Sequence, residues 1–309
     1  MKYLTTAVLL FLFSATFNQH AAQNKSWIEV SRDVEFFRVS MPNQPKEEFQ
    51  TKGYGDLNVS GTWYEAGADG ASYAVWAFVH ANHKSTDDPD TYLDQCADLI
   101  WETLLKPARD RLPNDGSVRA GMTYVKELPA NPLPGREYTL TIGELTGTTL
   151  FYTGDTRVYV LLAMHTPTAA WEEQKFFASF ATLPGLPRPN RLYGDPVIGI
   201  NQSTPSGAAN DAEVVFSGKD TTQKVRILEK GEPTYTESAR KYGVQGTVVM
   251  RAVFSSDGEV KRVSVTRKLP HGLTQAAVKA ARAIRFTPAM KDGQSVSMWM
   301  ELQYNFNLY

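Results

Sequence analysis

The residues with the greatest potential for chemistry are two neighbouring histidines, one cysteine and a group of aspartates. His80 and His83 are three residues apart, but a zinc site needs three or four ligands, and no further Cys or His cluster supplies them. Cys96 lies on the apolar side of a predicted helix without a nearby basic residue, so its thiol is expected to serve packing. The aspartates within 87–98 lack the Gly-centred spacing of a calcium loop. We expect a turn or strand end at the histidines, and no bound metal.

Other catalytic and cofactor-binding signatures are also missing. The 309 residues contain neither a Gly-x-Ser-x-Gly nucleophile elbow nor a phosphate-binding glycine loop with its lysine. We therefore predict that the chain is not an enzyme and holds no cofactor. A periplasmic enzyme with its activity in residues 26–183 remains an alternative of a different class.

The N-terminus has the pattern of an export signal. Met1-Lys2 is followed by an apolar stretch over 3–17 and by small residues near Ala22, which predicts a signal peptide over 1–23. The stretch is shorter than the ~20 residues that cross a bilayer, although a short uncleaved anchor in the inner membrane is an alternative. The rest of the chain is expected in the periplasm.

Residues 26–183 are predicted to form one α+β domain of unknown role. Runs rich in aromatic and β-branched residues predict strands at 35–41, 58–64, 72–80, 123–127, 137–142, 148–153 and 157–165. Asp88-Pro89 begins a predicted helix, and a second helix is predicted near 169–181. The expected architecture is an antiparallel sheet with one or two covering helices.

Residues 184–222 contain five prolines among Gly, Ser, Asn and Thr, which predicts a linker. The domain over 224–309 then begins with a predicted helix within 233–242. Strands at 246–254 and 259–267 are joined through Asp257-Gly258, a strong hairpin signal, and a helix follows over 273–284. We expect two helices on one side of a three-stranded antiparallel sheet.

The last strand, over 296–308, shows the most regular alternation in the chain. Its apolar positions are expected to face the core: Val296, Met298, Met300, Leu302, Tyr304, Phe306 and Leu308. The intervening residues, which begin at Ser297, are expected to face solvent. They include neither Lys nor Pro, the residues that usually protect a sheet edge.

A series of motifs in this region resembles the TonB C-terminal domain family. In chain order they are Pro-Thr-Tyr-Thr-Glu-Ser-Ala-Arg (233–240), Gly-Val-Gln-Gly-Thr-Val-Val (243–249), Phe-Ser-Ser-Asp-Gly-Glu-Val (254–260), Ala-Ile-Arg-Phe-Thr-Pro-Ala (283–289), Lys-Asp-Gly (291–293) and Tyr-Asn-Phe-Asn-Leu (304–308). Thr236 departs from the family, which usually has Pro there, and this weakens a local helix-start signal.

The resemblance implies a function in peptide capture. TonB C-terminal domains add a peptide segment of an outer-membrane TonB-dependent transporter as a strand, and a proton-driven inner-membrane complex of the ExbB/ExbD type supplies energy. Trp299, Glu301, Gln303 and Asn305 are the candidate peptide-binding residues. The alternatives are an edge covered by another segment or by a second copy in a homodimer, and a soluble periplasmic adaptor that transmits no force.

Charge is unevenly distributed along the chain. Residues 1–223 contain 18 Lys+Arg and 26 Asp+Glu, whereas residues 224–309 contain 14 and 7. An exported protein without an aromatic-basic platform is not expected to bind nucleic acid. We predict a solvated basic face, with attraction of acidic peptides or anionic envelope polymers as the alternative, formed by Lys261, Arg262, Arg267, Lys268, Arg282 and Arg285.

Overall fold

The computed structural model describes residues 27–54, 57–80, 89–110, 119–130, 133–154, 157–169, 171–183 and 214–308. The predicted signal peptide, most of the predicted linker and His83 lie outside these residues. The chain divides into two compact units, Met1–Tyr193 and Gly194–Tyr309. Strands predominate over helices in the described residues, so the predicted α+β class is confirmed.

The N-terminal unit contains a seven-stranded antiparallel sheet. Its strands are β3 (Lys46–Tyr54), β4 (Leu57–Ala68), β5 (Ala71–His80), β6 (Ala120–Leu128), β7 (Gly135–Ile142), β8 (Leu145–Thr153) and β9 (Arg157–His165). They lie in the order β3-β4-β5-β9-β8-β7-β6. The central strand β9 is buried from Val158 to Met164, because both faces of the sheet are covered.

A second, smaller sheet covers one of these faces. It consists of β1 (Ile28–Arg32), β2 (Phe37–Met41) and β10 (Ala181–Thr182), and helix α3 (Glu173–Ser179) packs beside it. Phe37 and Phe176 from this layer share a core with Leu161 and Ala163 of β9. Burial of this apolar surface is the main force that holds the two sheets together.

A helical layer covers the opposite face. It consists of α1 (Pro89–Ile100), a π-helical turn (Trp101–Leu105) and α2 (Lys106–Arg109). Leu104 and Leu105 line a small apolar cavity together with Leu162 and Met164 of β9. Because successive strand residues point to opposite faces, Leu161 and Leu162 serve the two different cores.

A buried arginine fastens the helical layer to the sheet. Arg136 on β7 has no solvent exposure and contacts three carboxylates. Its Nη2 lies 3.2 Å from Asp90 Oδ1 and its Nε lies 2.8 Å from Glu127 Oε1, while its Nη1 donates to Asp94. Burying a charge is unfavourable unless it is paired, so this network fixes α1 in one position on the sheet.

The structure corrects the strand assignments at the start of this unit. The predicted strand over 35–41 begins only at Phe37, because Phe36 has a φ of 57° and ends the preceding turn. Strands β1 and β3 were not predicted. In β3, an edge strand, Phe49 is exposed and Gln50 is buried, so the sequence lacks the apolar alternation by which strands are recognised.

The C-terminal unit is built on two helices and a long hairpin sheet. Its main elements are α4 (Glu237–Lys241), β13 (Gly246–Phe254), β14 (Val260–Arg267), α5 (Leu273–Arg282) and β17 (Gln294–Phe306). Strand β13 lies in the middle, antiparallel to both β14 and β17. Helix α5 packs on β13 and β14, and its Ala277 and Ala281 are fully buried because small side chains allow close approach.

Four short strands were not predicted in this unit: β11 (Val215–Phe216), β12 (Arg226–Glu229), β15 (Arg285–Thr287) and β16 (Ala289–Lys291). β11 and β16 both pair with β17, and β12 pairs with β15. The sheet expected to have three strands therefore has five. Strands of two to four residues are too short to show periodicity and form through pairing with distant segments.

Thr236 begins helix α4 without the proline of the family motif. It is the N-cap residue, and its Oγ1 accepts a hydrogen bond of 3.1 Å from the Ala239 amide. The same hydroxyl donates to the carbonyl of His271 at 2.5 Å. A threonine N-cap satisfies an amide that otherwise has no partner in the helix, so the helix start is preserved.

Candidate functional site

The candidate site is the edge of β17 that faces away from β13. The two strands pair without interruption from Gly246 opposite Phe306 to Phe254 opposite Met298. The Gln303 carbonyl accepts a hydrogen bond from Lys230 Nζ at 2.9 Å, and the carbonyl of its register partner, Val249, accepts one from Thr266 at 3.1 Å. The backbone groups of these two paired residues therefore point away from each other.

This orientation defines the direction of every backbone group along the edge. In an antiparallel ladder, alternate residues point their N–H and C=O groups to the same side. Glu301, Gln303 and Asn305 therefore direct their backbone groups outward, whereas Leu302 and Tyr304 bond to β13. The sequence did not reveal this orientation, because side-chain alternation alone does not say which edge of a strand is paired.

Only the beginning of this edge is paired with another strand. β16 pairs with 294–296 and β11 runs parallel to Ser297 and Met298. Beyond Phe216 the chain turns, and Asp220 Oδ2 accepts a 2.5 Å hydrogen bond from the Ser217 hydroxyl. Among the residues that the structure describes, no strand pairs with the outer edge of residues 299–306.

Lys230 protects this open edge from outside the strand. In addition to its bond to the Gln303 carbonyl, its Nζ lies 4.4 Å from the centre of the Tyr304 ring. The sequence analysis considered only residues of the strand itself and missed this lysine, which is 73 positions away from Gln303. A lysine at a sheet edge is a common protection against uncontrolled strand pairing.

The other edge of the sheet is less suited to strand addition. β14 pairs with β13 with two register shifts, and Arg262 has a φ of 45° at one of them. Bulges of this kind twist an edge and interrupt its row of hydrogen-bonding groups. Of the two edges, the outer edge of β17 is the more regular.

The four predicted site residues lie on one face of β17. Trp299 is half-buried, whereas Glu301, Gln303 and Asn305 are exposed. Gln303 Nε2 donates to Glu301 Oε1 at 3.0 Å, and Asn305 Oδ1 accepts from the Thr247 hydroxyl at 2.7 Å. The structure thus brings the four residues together beside the open edge.

Ser297 departs from the predicted exposure pattern. It was expected to face solvent but is only 2% exposed. Its hydroxyl accepts a 2.8 Å hydrogen bond from the Ser256 amide in the β13–β14 turn and lies 3.5 Å from the Ser255 hydroxyl. The turn folds over this end of β17 and buries a residue that alternation assigns to the wet face.

Two arginines surround Trp299 on the same face of the sheet. The guanidinium carbons of Arg251 and Arg262 lie 5.3 Å and 5.6 Å from its ring centre. Val253, the register partner of Trp299, has no solvent exposure beneath this group. Arg262 was expected in a merely solvated face, and Arg251 was not singled out, because their convergence depends on strand register.

The remaining histidines do not assemble a metal site. His165 stacks on Trp171 with ring centres 3.7 Å apart, and His271 is buried with Nδ1 2.9 Å from the Ser238 hydroxyl. Within the described ranges, no group of three His, Cys, Asp or Glu residues is arranged to bind a metal.

The family resemblance of the C-terminal unit is confirmed by comparison with known proteins. Residues 231–308 match the model of the family described as Gram-negative bacterial TonB protein C-terminal. TonB C-terminal domains are non-catalytic interaction domains, so the match indicates a role in TonB-type transport at the Gram-negative cell envelope. No curated protein matches the chain.

Two solved structures are similar to parts of the chain. The solution NMR structure of the Pseudomonas aeruginosa TonB CTD is 22% identical and aligns over 30% of this chain and 93% of that chain, with a TM-score of 0.26. The solution structure of cyanobacterial PsbP (CyanoP) from Synechocystis is 12% identical and aligns over 53% of this chain and 98% of that chain, with a TM-score of 0.33. Both TM-scores are low.

The helices of the described residues were also compared with the requirements of a membrane span. None of them is both long enough and apolar enough to cross a bilayer.

Proposed function

We propose that the C-terminal unit binds an extended peptide segment of an outer-membrane TonB-dependent transporter by adding it as a strand along the outer edge of β17. The observation that carries this proposal is the row of outward-facing backbone groups at Glu301, Gln303 and Asn305. An added strand takes its affinity from hydrogen bonds to such groups and its selectivity from alternate side chains.

The proposed cellular setting follows the sequence. Residues 1–23 are a signal peptide, residues 184–222 are a linker, and the domains over 26–183 and 224–309 act in the periplasm of a Gram-negative bacterium. If the N-terminal segment remains in the inner membrane, coupling to an ExbB/ExbD-type complex allows force transmission. If it is cleaved, the protein is a soluble adaptor. N-terminal sequencing of the mature protein distinguishes these two forms.

Residue-resolved amide exchange of the whole chain tests strand addition. Synthetic peptides from transporter N-termini are expected to slow exchange at Glu301, Gln303 and Asn305. The amides of Leu302 and Tyr304 should change little, because they already bond to β13. This alternating pattern is specific to strand pairing, since a ligand on the face of the sheet has no reason to distinguish odd from even amides.

Two controls define the interpretation. A peptide that is N-methylated at every second residue cannot donate to the edge and should give no alternating protection. If the alternating protection appears without peptide and grows with protein concentration, a homodimer occupies the edge instead. Protection confined to other surfaces, with unchanged exchange at the outward amides, would refute the proposal.

A further inference from the structure

The group formed by Trp299, Arg251 and Arg262, termed here the Arg–Trp cluster, is the most distinctive surface feature beside the open edge. Arg251 is exposed, and in the part of the chain that the structure describes it has no carboxylate partner. Trp and Arg are the side chains that most often dominate binding energy at protein interfaces. A ligand that meets this cluster is expected to be anionic.

The position of the cluster determines which residue of an added strand it meets. Neighbouring strands lie about 4.8 Å apart, and side chains directly opposite each other share a face with Cβ atoms about 5 Å apart. The residue of the incoming strand beside Trp299 therefore points over the same face. The two guanidinium carbons, 5.3 Å and 5.6 Å from the Trp299 ring centre, are then within reach of a carboxylate on that residue.

The charge changes sign two residues further along the edge. Glu301 is exposed on the same face, and its side chain accepts a hydrogen bond from Gln303. An acidic side chain beside Glu301 is repelled, because like charges directly opposite each other destabilise a sheet. The nearby Asp257 carboxylate pairs with Lys261 and so leaves the positive charge of the cluster in excess.

We infer that the edge of β17 selects its partner by charge: it prefers a strand with an acidic residue beside Trp299 and a neutral or basic residue, two positions away, beside Glu301. This inference rests on the strand addition proposed above and adds the chemistry of the partner. Arg251 and Arg262 are specificity determinants, since a guanidinium matches the geometry of a carboxylate and can donate two parallel hydrogen bonds to it.

The test measures how three labelled peptides bind to the intact chain. All three share a neutral host of alternating Thr and Val and carry Asp, Asn or Lys at one position. The expected order of affinity is Asp, Asn, Lys. Because the cluster is partly exposed, each step should amount to about two- to fivefold. Arg251→Glu should reverse the order, and Arg251→Gln should abolish the preference.

A matched variant separates local recognition from net charge. Arg282 is exposed on α5, so Arg282→Glu changes the net charge by the same amount as Arg251→Glu, and it should leave the order of affinity unchanged. If Arg282→Glu reverses the order as well, the preference comes from net charge and the inference is wrong. Binding without any charge preference overturns the inference but leaves strand addition intact, whereas failure of all three peptides to bind overturns both.

Discussion

Replacement of Gln303 by proline tests the assigned direction of the backbone groups on β17. Proline has no N–H group, so it is tolerated in a strand only where that group is not needed by a neighbour. At Gln303 the N–H points outward, and the 2.9 Å bond from Lys230 uses the carbonyl, which proline retains. Gln303→Pro should therefore fold normally and bind the transporter peptide poorly.

The size of the effect follows from the lost contacts. One hydrogen bond between peptide and edge disappears, which is worth about 0.5–1.5 kcal/mol. The proline ring also occupies the space of the incoming strand. A total loss of about 1–2 kcal/mol corresponds to a roughly 5- to 30-fold weaker affinity. Gln303→Ala is the matched control, because it removes the same side chain but keeps the N–H group, and it should lose less affinity.

Titration of a fluorescent peptide with each variant measures affinity, and urea unfolding measures stability. Leu302→Pro provides the opposite case: it removes a donor to β13 and a buried side chain that is 4% exposed, so it should destabilise the unit by at least about 2 kcal/mol. If Gln303→Pro unfolds the unit while Leu302→Pro does not, the assigned directions are reversed. If Gln303→Pro binds as tightly as Gln303→Ala, the peptide does not use this edge.

Three further predictions concern the edge lysine and the N-terminal unit. Lys230→Gln removes the ammonium group that an incoming strand must displace from the Gln303 carbonyl, so peptide affinity should rise about two- to fivefold by the same titration; unchanged affinity would refute a protective role. Arg136→Met leaves three carboxylates without their buried partner and should lower the free energy of unfolding by about 3–5 kcal/mol in urea, whereas Arg38→Met, at an exposed pair, should change it little; equal effects would contradict the assigned network. Burial raises the pKa of the Cys96 thiol, which stays protonated at pH 8, so a thiol reagent should label it only after unfolding; rapid labelling of the native protein would contradict this assignment.

Local sequence patterns were sufficient for the elements of the C-terminal unit that pack against their own core. The alternation over 296–308 predicted β17, and the small residues of α5 predicted its close contact with the sheet. These elements are long enough for the 2-residue and 3.6-residue periods to be visible. β3 and β11 were missed because a charged edge strand and a two-residue strand show no such period.

The candidate site was only partly accessible from the sequence. The side chains on the exposed face of β17 follow from alternation, and the ordered motifs over 233–308 indicated the family. The side chains that surround the edge come from other segments: Lys230 from the approach to α4, and Arg251 and Arg262 from β13 and β14. Nothing in the spacing of these residues along the chain indicates that they meet.

The sequence by itself determined which segments are strands and helices, which faces they bury, and which family the C-terminal region resembles. Tertiary structure alone decided which edge of β17 remains open, which backbone groups face it, and which cations surround Trp299. The physical reason is that burial patterns are written in neighbouring residues, whereas strand register and ion pairing are contacts between residues far apart in the chain.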